Sequence, residues 1–281
     1  MTTQLEQIRD QQQETWDRFS PGWKKWDDLV ISWIAPVRDA LIDAARLRPS
    51  SHLLDVASGT GEPGLSAAAL FPEGRVTITD LAPKMLKVAE EKAAHLGLRN
   101  VDFKQADAGA LPFVDRSFDA VTARFGFMFF PDVLGAAREF ARVARPGARV
   151  TTAVWGVPEK NPWATLIMGT IAEHVELPAP PPGSPGLFRC AAPGHMAGVF
   201  RDAGLRDVTE TEVFIPGVFK DAEQYFSFMN EVAAPVVAGM AKADEVTRAR
   251  IKDAVFRRVA ERTKGGEIRL DAMAVVITGE R

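Results

Sequence analysis

Leu53-Leu54-Asp55-Val56-Ala57-Ser58-Gly59-Thr60-Gly61-Glu62-Pro63-Gly64 reads as a strand, a glycine turn and the start of a helix. Leu53 to Val56 is a short apolar run suited to a buried parallel strand, and Pro63 falls in the first helical turn, where its missing N–H costs nothing. Gly59 and Gly61 let backbone approach a ligand closely. The helix N-terminus behind the turn offers unpaired N–H groups and partial positive charge to an anionic or polar ligand end. A nucleotide-type cofactor is the expected occupant.

Gly59-x-Gly61-x-x-Gly64 matches the dinucleotide fingerprint in its spacing, and Asp80 follows about 20 residues on, where an acid would hold a ribose. Asp55 argues against a dinucleotide, because that strand position is usually apolar there. A buried acid is costly unless a cationic or donating group meets it, as an amino-acid ammonium would.

The stretch resembles the first motif of the class I S-adenosylmethionine-dependent methyltransferases, with Ala57 standing where the first glycine usually is. The resemblance implies that Asp55, Ala57, Ser58, Gly59, Thr60 and Gly61 cradle the methionine part of S-adenosyl-L-methionine. It places Asp80 with Leu81 at the ribose, Asp107 with Ala108 at the adenine, and Arg124 at the cofactor from the end of the fourth strand. Leu111-Pro112-Phe113, Ser117-Phe118-Asp119 and Arg145-Pro146-Gly147 resemble the later landmarks of the family. The ubiquinone/menaquinone-type small-molecule methyltransferases are the group most nearly evoked. The fold implied is α/β, a Rossmann-like, mainly parallel seven-stranded sheet with helices on both faces and the last strand antiparallel.

Along the chain, residues 1–45 are expected to form an N-terminal helical lid, 46–156 the cofactor-binding core, and 157–281 the remainder of the same domain. Residues 3–19 are polar and helical in pattern, ending before Pro21, and Trp16, Trp23, Trp26 and Trp33 hold four of the six tryptophans. A second helix is read from about Ile34 to Ala45. From 51 to 156 strand and helix alternate, with strands near 52–57, 75–80, 101–106, 118–124 and 148–155. Residues 157–190 break the alternation and, with Pro178, Pro180, Pro181, Pro182 and Pro185, read as a stiff loop beside the site. A helix near 192–203 precedes a strand near 206–215, and Ile268–Ile277 reads as the last strand. Between them 220–264 looks like a helical insertion, with Ile251, Val255 and Val259 as one apolar stripe and the loop 157–190 as its partner in a substrate cap. Quinone methyltransferases do not usually carry such an insertion.

The formal charge of -3 over 281 residues and a pI near 5.9 provide no field that gathers nucleic acid or anionic membrane. The expected partner is a small molecule, with a homodimer as the assembly to consider. One cysteine, Cys190, excludes an internal disulfide, and no Cys/His cluster has metal-ligand spacing. No secretory signal is legible, so a cytoplasmic protein is expected.

Methyl transfer from a sulfonium needs alignment above all, and a base only when the acceptor must lose a proton. His195 and Tyr225 are the named base candidates, ahead of His52, His95, His174 and Glu159. Trp23, Phe127, Trp155 and Tyr225 are the expected substrate-binding residues, for a largely apolar or aromatic acceptor methylated at oxygen, nitrogen or an activated carbon. Two rival readings stand beside this one. A non-catalytic S-adenosylmethionine-binding regulator would carry the same motif. A short-chain NAD(P)-dependent oxidoreductase requires Tyr-x-x-x-Lys, whereas the only tyrosine, Tyr225, is followed four residues later by Met229.

Overall fold

A computed structural model describes residues 3–177, 181 and 183–281. Three helices come first, α1 (Gln4–Lys25), α2 (Asp27–Trp33) and α3 (Ala35–Ala45). The alternating part follows as β1 (His52–Val56), α4 (Gly64–Leu70), β2 (Arg75–Asp80), α5 (Pro83–His95), β3 (Val101–Gln105), β4 (Phe118–Arg124), α6 (Val133–Val143) and β5 (Ala144–Trp155). Then come α7 (Pro162–Ala172), α8 (His195–Asp202), β6 (Arg206–Ile215), β7 (Val218–Phe219), α9 (Ala222–Val232), α10 (Ala234–Ala241) and α11 (Glu245–Ala260). The short β8 (Thr263–Lys264) and β9 (Glu267–Arg269) lead into β10 (Ala272–Glu280).

The main sheet has seven strands in the order β3-β2-β1-β4-β5-β10-β6. β1 to β5 are parallel, and β10 runs antiparallel between β5 and β6. This is the fold expected from the sequence. Alternate residues of the central strands feed two apolar clusters: Leu53 and Ala120 pack with α3, α4 and α5, while Leu54 and Val121 belong to the larger cluster on the other side. Strands buried on both faces read as continuous apolar runs, which is why β1 and β4 were legible. Among the described residues no helix is long and apolar enough to cross a membrane.

Four boundaries differ from the sequence reading. α1 does not stop before Pro21 but runs through it to Lys25. Proline removes the N–H that would reach the carbonyl of Asp17, and the Ser20 hydroxyl donates to that oxygen instead at 2.9 Å. α2 is a further helix ahead of α3. Where a loop was expected over 157–190, Pro162–Ala172 form α7, whose apolar run Trp-Ala-Thr-Leu-Ile-Met lacks the polar face that marks an amphipathic helix. Pro178, Pro180 and Pro182 lie outside the described residues.

The expected strand Ile268–Ile277 is divided between two sheets, β9 pairing with β7 and β8 and β10 joining the main sheet. The chains cross at Gly217, whose carbonyl accepts from Leu270 N at 2.8 Å. A Cβ at Gly217 would lie 1.8 Å from the Leu270 oxygen, so only glycine fits the crossing. The stripe Ile251, Val255 and Val259 on α11 is fully buried, as its spacing requires.

Candidate functional site

The turn after β1 is built from left-handed backbone: Ala57 has φ 53°, Gly59 57° and Gly61 105°. For alanine that region costs roughly 1–2 kcal/mol. A Cβ placed on Gly59 would meet nothing within 4 Å, so this glycine faces open space at the end of the sheet. Gly64 acts differently. A side chain there would strike Asp55 Oδ2 and Ile78, and its absence lets Gly64 N donate to Asp55 Oδ2 at 2.9 Å.

Asp55 is fully buried, and the donors that meet it belong to the protein: Gly64 N on one oxygen and the Thr122 hydroxyl on the other, at 2.9 Å each. The ammonium expected there is not needed to satisfy it. Burial pushes its carboxyl up to about 6 against the pull of those hydrogen bonds. Asp80 at the end of β2 accepts from Gly59 N and Ala82 N, at 2.8 Å each, and ties the glycine turn to the start of α5. Burial raises it to about 6 as well, with Asp17 of α1 adding negative charge nearby. The Leu81 carbonyl accepts from the Gln105 side chain at 2.9 Å. Asp107 accepts from Gly109 N at 2.9 Å, and Ala108 beside it is buried.

α1 lies across these strand ends. Asp17 accepts from Lys84 N at 2.9 Å and so caps α5, Lys24 pairs with Glu91 at 2.7 Å, and Trp16 meets Phe129 edge-on at 5.0 Å. Arg9, held above its ordinary value first by Asp10, also feels Asp107. α2 continues the cover, with Asp27 paired to Lys92 of α5 at 2.8 Å and Trp26 Nε1 donating to Glu231 of α9 at 3.1 Å.

The end of β4 is of another character. Arg124 donates from Nε to the Glu62 carbonyl at 3.0 Å, and burial pushes its guanidinium below the ordinary value. Phe125, next in the chain, has φ 58° and stacks on Trp155 at 4.1 Å and 14°. A non-glycine residue in that region signals a position fixed by its surroundings. Trp155 packs on Trp163 at 4.7 Å, and Trp33 closes the group against both, at 5.0 Å from Trp163 and 6.0 Å from Trp155. Among the described residues, five polar atoms in this region are buried with no hydrogen-bond partner: Trp23 Nε1, Trp33 Nε1, Asp27 Oδ1, Lys92 Nζ and Glu62 Oε2. Buried polar atoms are nearly always paired. Together with the open face of Gly59 they fit a cofactor and acceptor that bring polar groups of their own.

The structure gathers Asp55, Ala57, Ser58, Gly59, Thr60, Gly61, Asp80, Leu81, Asp107, Ala108 and Arg124 at the carboxyl ends of β1 to β4, with Trp155 at that end of β5. It removes others. Tyr225 is fully buried, its hydroxyl donates to the Trp163 carbonyl at 2.7 Å, and burial drives its ionisation far above the usual range. Phe127 is a core residue packed on Phe140 and Phe200. His195, exposed at the start of α8, is not placed at the glycine turn, and His95, His174 and Glu159 are likewise exposed. His52 sits at the opposite end of β1 and hydrogen-bonds Thr77 at 2.9 Å. Trp23 remains at the cover, half-buried. The sequence reading missed Glu62, Asp27, Lys92 and Thr122, and held Trp33 only as one of the lid tryptophans. Glu62 stood inside the decisive stretch, but its neighbour Arg124 is 62 residues away.

Residues 24–162 match the ubiE/COQ5 methyltransferase family, so the resemblance to S-adenosylmethionine-dependent methyltransferases drawn from the motifs holds for this stretch. An uncharacterised protein of Mycobacterium tuberculosis is 34% identical over 182 residues, 64% of this chain and 64% of that protein. A demethylmenaquinone methyltransferase of Thermus thermophilus is 42% identical over 124 residues, 44% of this chain and 56% of that protein. The chain thus spans less than two thirds of the length of these relatives. Among solved structures, the YcgJ protein of Bacillus subtilis shares the fold with a TM-score of 0.59 and 21% identity, over 87% of this chain and 97% of that one.

Proposed function

We propose that this protein transfers a methyl group from S-adenosylmethionine to a small, largely apolar or aromatic acceptor. The observation that carries the reading is the alignment of the glycine turn, Asp80 and Asp107 on the carboxyl ends of three adjacent strands, beneath α1. Ligands of open α/β sheets lie across those ends. When bound, the cofactor supplies a methyl carbon already activated by the positive sulfur.

The protein's part is to hold and to exclude water. Gly59 leaves backbone open to the methionine end, Asp80 offers the lone pairs left on its two oxygens to ribose hydroxyls, and Asp107 stands at the adenine position. Alignment of this kind can be worth about 7–11 kcal/mol. α1 and α2 serve as lid, and α9 to α11 with α7 as cap, so that the acceptor meets the aromatic wall of Phe125, Trp155 and Trp33 out of bulk water. The net charge of -3 supports a neutral small molecule over a nucleic acid.

Titration calorimetry with S-adenosylmethionine, S-adenosylhomocysteine and NAD tests the cofactor, and formation of S-adenosylhomocysteine across an acceptor panel tests the reaction. The panel includes a demethylmenaquinone analogue, because one relative bears that activity in its name, beside phenols, amines and activated carbon acids. Binding of both sulfur compounds, not NAD, and product formation only with acceptor present are the expected results. Preference for NAD would overturn the reading, and binding without turnover on any acceptor would favour a regulator.

A further inference from the structure

The acids at the site divide by what meets them. Asp55 and Asp80 each have a donor on both oxygens, and Asp27 has the ammonium of Lys92 2.8 Å from its Oδ2, though its Oδ1 has no partner among the described residues. Glu62 is equally deep, only 6% exposed, yet no hydrogen bond from the described residues reaches its carboxylate, and its Oε2 is shut away from solvent without a partner. Arg124 is its natural counter-charge. The two are joined through the main chain, since the single hydrogen bond of the guanidinium runs from Nε to the Glu62 carbonyl at 3.0 Å, and the terminal N–H groups reach no acceptor among the described residues. Asp55, Asp27 and Arg38 are the other charges in the field of Arg124.

A buried carboxylate with a half-buried guanidinium at its main chain, the two not hydrogen-bonded through their side chains, is costly to keep. A ligand group with one hydrogen to give and one lone pair to offer would satisfy both. Such a group is an O–H or N–H, the form in which a methyl acceptor arrives. The wall of Phe125 and Trp155 begins at the next residue along the chain, and Trp33 Nε1 adds an unpartnered donor to it.

We propose that Glu62 is the catalytic base that takes the proton from the methyl-receiving group, and that Arg124 holds the negative charge left on it. The assignment rests on the methyl-transfer reading. The acceptor's O–H or N–H proton passes to the Glu62 carboxylate, and the lone pair so freed forms the new bond to the methyl carbon. The carbon–sulfur bond breaks with its electron pair going to sulfur, which becomes a neutral thioether.

The test uses the full chain with Glu62→Gln, Glu62→Asp and Arg124→Met, and three readouts. These are kcat with an acceptor from the panel, the Kd for S-adenosylhomocysteine, and the phenolate absorbance of 4-nitrophenol mixed with the protein with and without S-adenosylhomocysteine. E62Q is expected to lower kcat by about 10²–10⁴-fold while leaving the Kd and the thermal midpoint near those of the parent, with E62D recovering part of the loss. The parent is expected to bind the probe as phenolate at a pH where the free probe is protonated. R124M is expected to abolish that band, and E62Q to make it titrate with the pH of the solution, because the phenol proton then has no acceptor beside it in the protein. Unchanged kcat in E62Q, equal losses of kcat and cofactor affinity, or no phenolate band with the parent would overturn the assignment. Failure of the parent to methylate any acceptor would instead sink the methyl-transfer reading, while the probe still decides between Glu62 as base and Glu62 as a structural acid.

Discussion

At the ends of β1 and β2 every carboxylate oxygen of Asp55 and Asp80 has a donor from the protein, whereas beside the end of β4 the carboxylate of Glu62, from the glycine turn, has none among the described residues and Arg124 uses only its Nε–H. The first region is made mostly by backbone N–H groups of the turns after β1 and β2, with the Thr122 hydroxyl of β4 added, and is finished before any ligand arrives. The second is assembled from β4, β5, α2 and the glycine turn, and its polar groups are complete only when something binds. Rigid binding of a constant cofactor and adaptable binding of a variable acceptor call for that division. Satisfied acids fix geometry, and unsatisfied ones select a partner.

The largest effect that would sharpen the contrast belongs to Asp80→Ala. Two backbone N–H groups lose their acceptor and the proposed ribose site loses its charge, so affinity for S-adenosylhomocysteine should fall at least tenfold, about 1.5–3 kcal/mol. The thermal midpoint should fall with it. Calorimetry and a melting curve read both, and an unchanged Kd would make Asp80 a turn residue alone.

Next comes pH. Asp55 and Asp80 sit at about 6 in the folded chain against an ordinary 3.8, so between those values the folded state binds more protons than the unfolded one. Stability of the free protein should therefore decline as pH rises from about 4 to about 6, by up to about 3 kcal/mol per group. Affinity for the cofactor should move the other way, tightening through pH 6 as Asp80 ionises. Denaturant melts and binding isotherms at matched pH would show the two opposed slopes; parallel slopes would break the argument.

Tyr225→Phe should cost about 1 kcal/mol of stability through the lost bond to Trp163, with kcat and cofactor affinity intact. A large loss of kcat at constant stability would restore Tyr225 to the site. The smallest effect is expected of Ala57→Gly. Relief of the left-handed backbone, roughly 1–2 kcal/mol, is offset by the flexibility glycine adds to the unfolded chain, roughly 0.5–1 kcal/mol. A midpoint within a degree or two of the parent, or slightly above it, is the outcome to look for, and a clear loss would mean that the Ala57 methyl packs against the site.

The same division explains what the sequence made legible. The glycine turn, Asp80 and Asp107 follow one another at strand ends in chain order, so periodicity and turn chemistry located them together with the sheet order. Tyr225 and Phe127 were misplaced because an aromatic on a cap helix or just after a strand reads alike whether it lines a mouth or fills a core; the fully buried Tyr225 hydroxyl, bonded to a carbonyl of α7, was visible only in three dimensions. Glu62 and Arg124 were each in view but not as a pair, since their neighbourhood depends on how β1 and β4 are placed side by side. Asp27 carried no signal at all: an acid ahead of a helix reads as a cap, and its pairing with Lys92 is purely tertiary.

The cover over the site also sets an order of events. Lys25 pairs with Glu231 at 2.7 Å, and Trp26 donates to the same carboxylate, across 206 and 205 residues of chain. At a synthesis rate of about 5–20 residues per second, the first helix is finished some tens of seconds before its anchor on α9 leaves the ribosome. Throughout that interval it has only its earlier contacts, Phe129 and α5, to rest on. The joint between α1, α2 and α9 is consequently among the last parts of the molecule to come into being, although the residues on one side of it are among the first to be made.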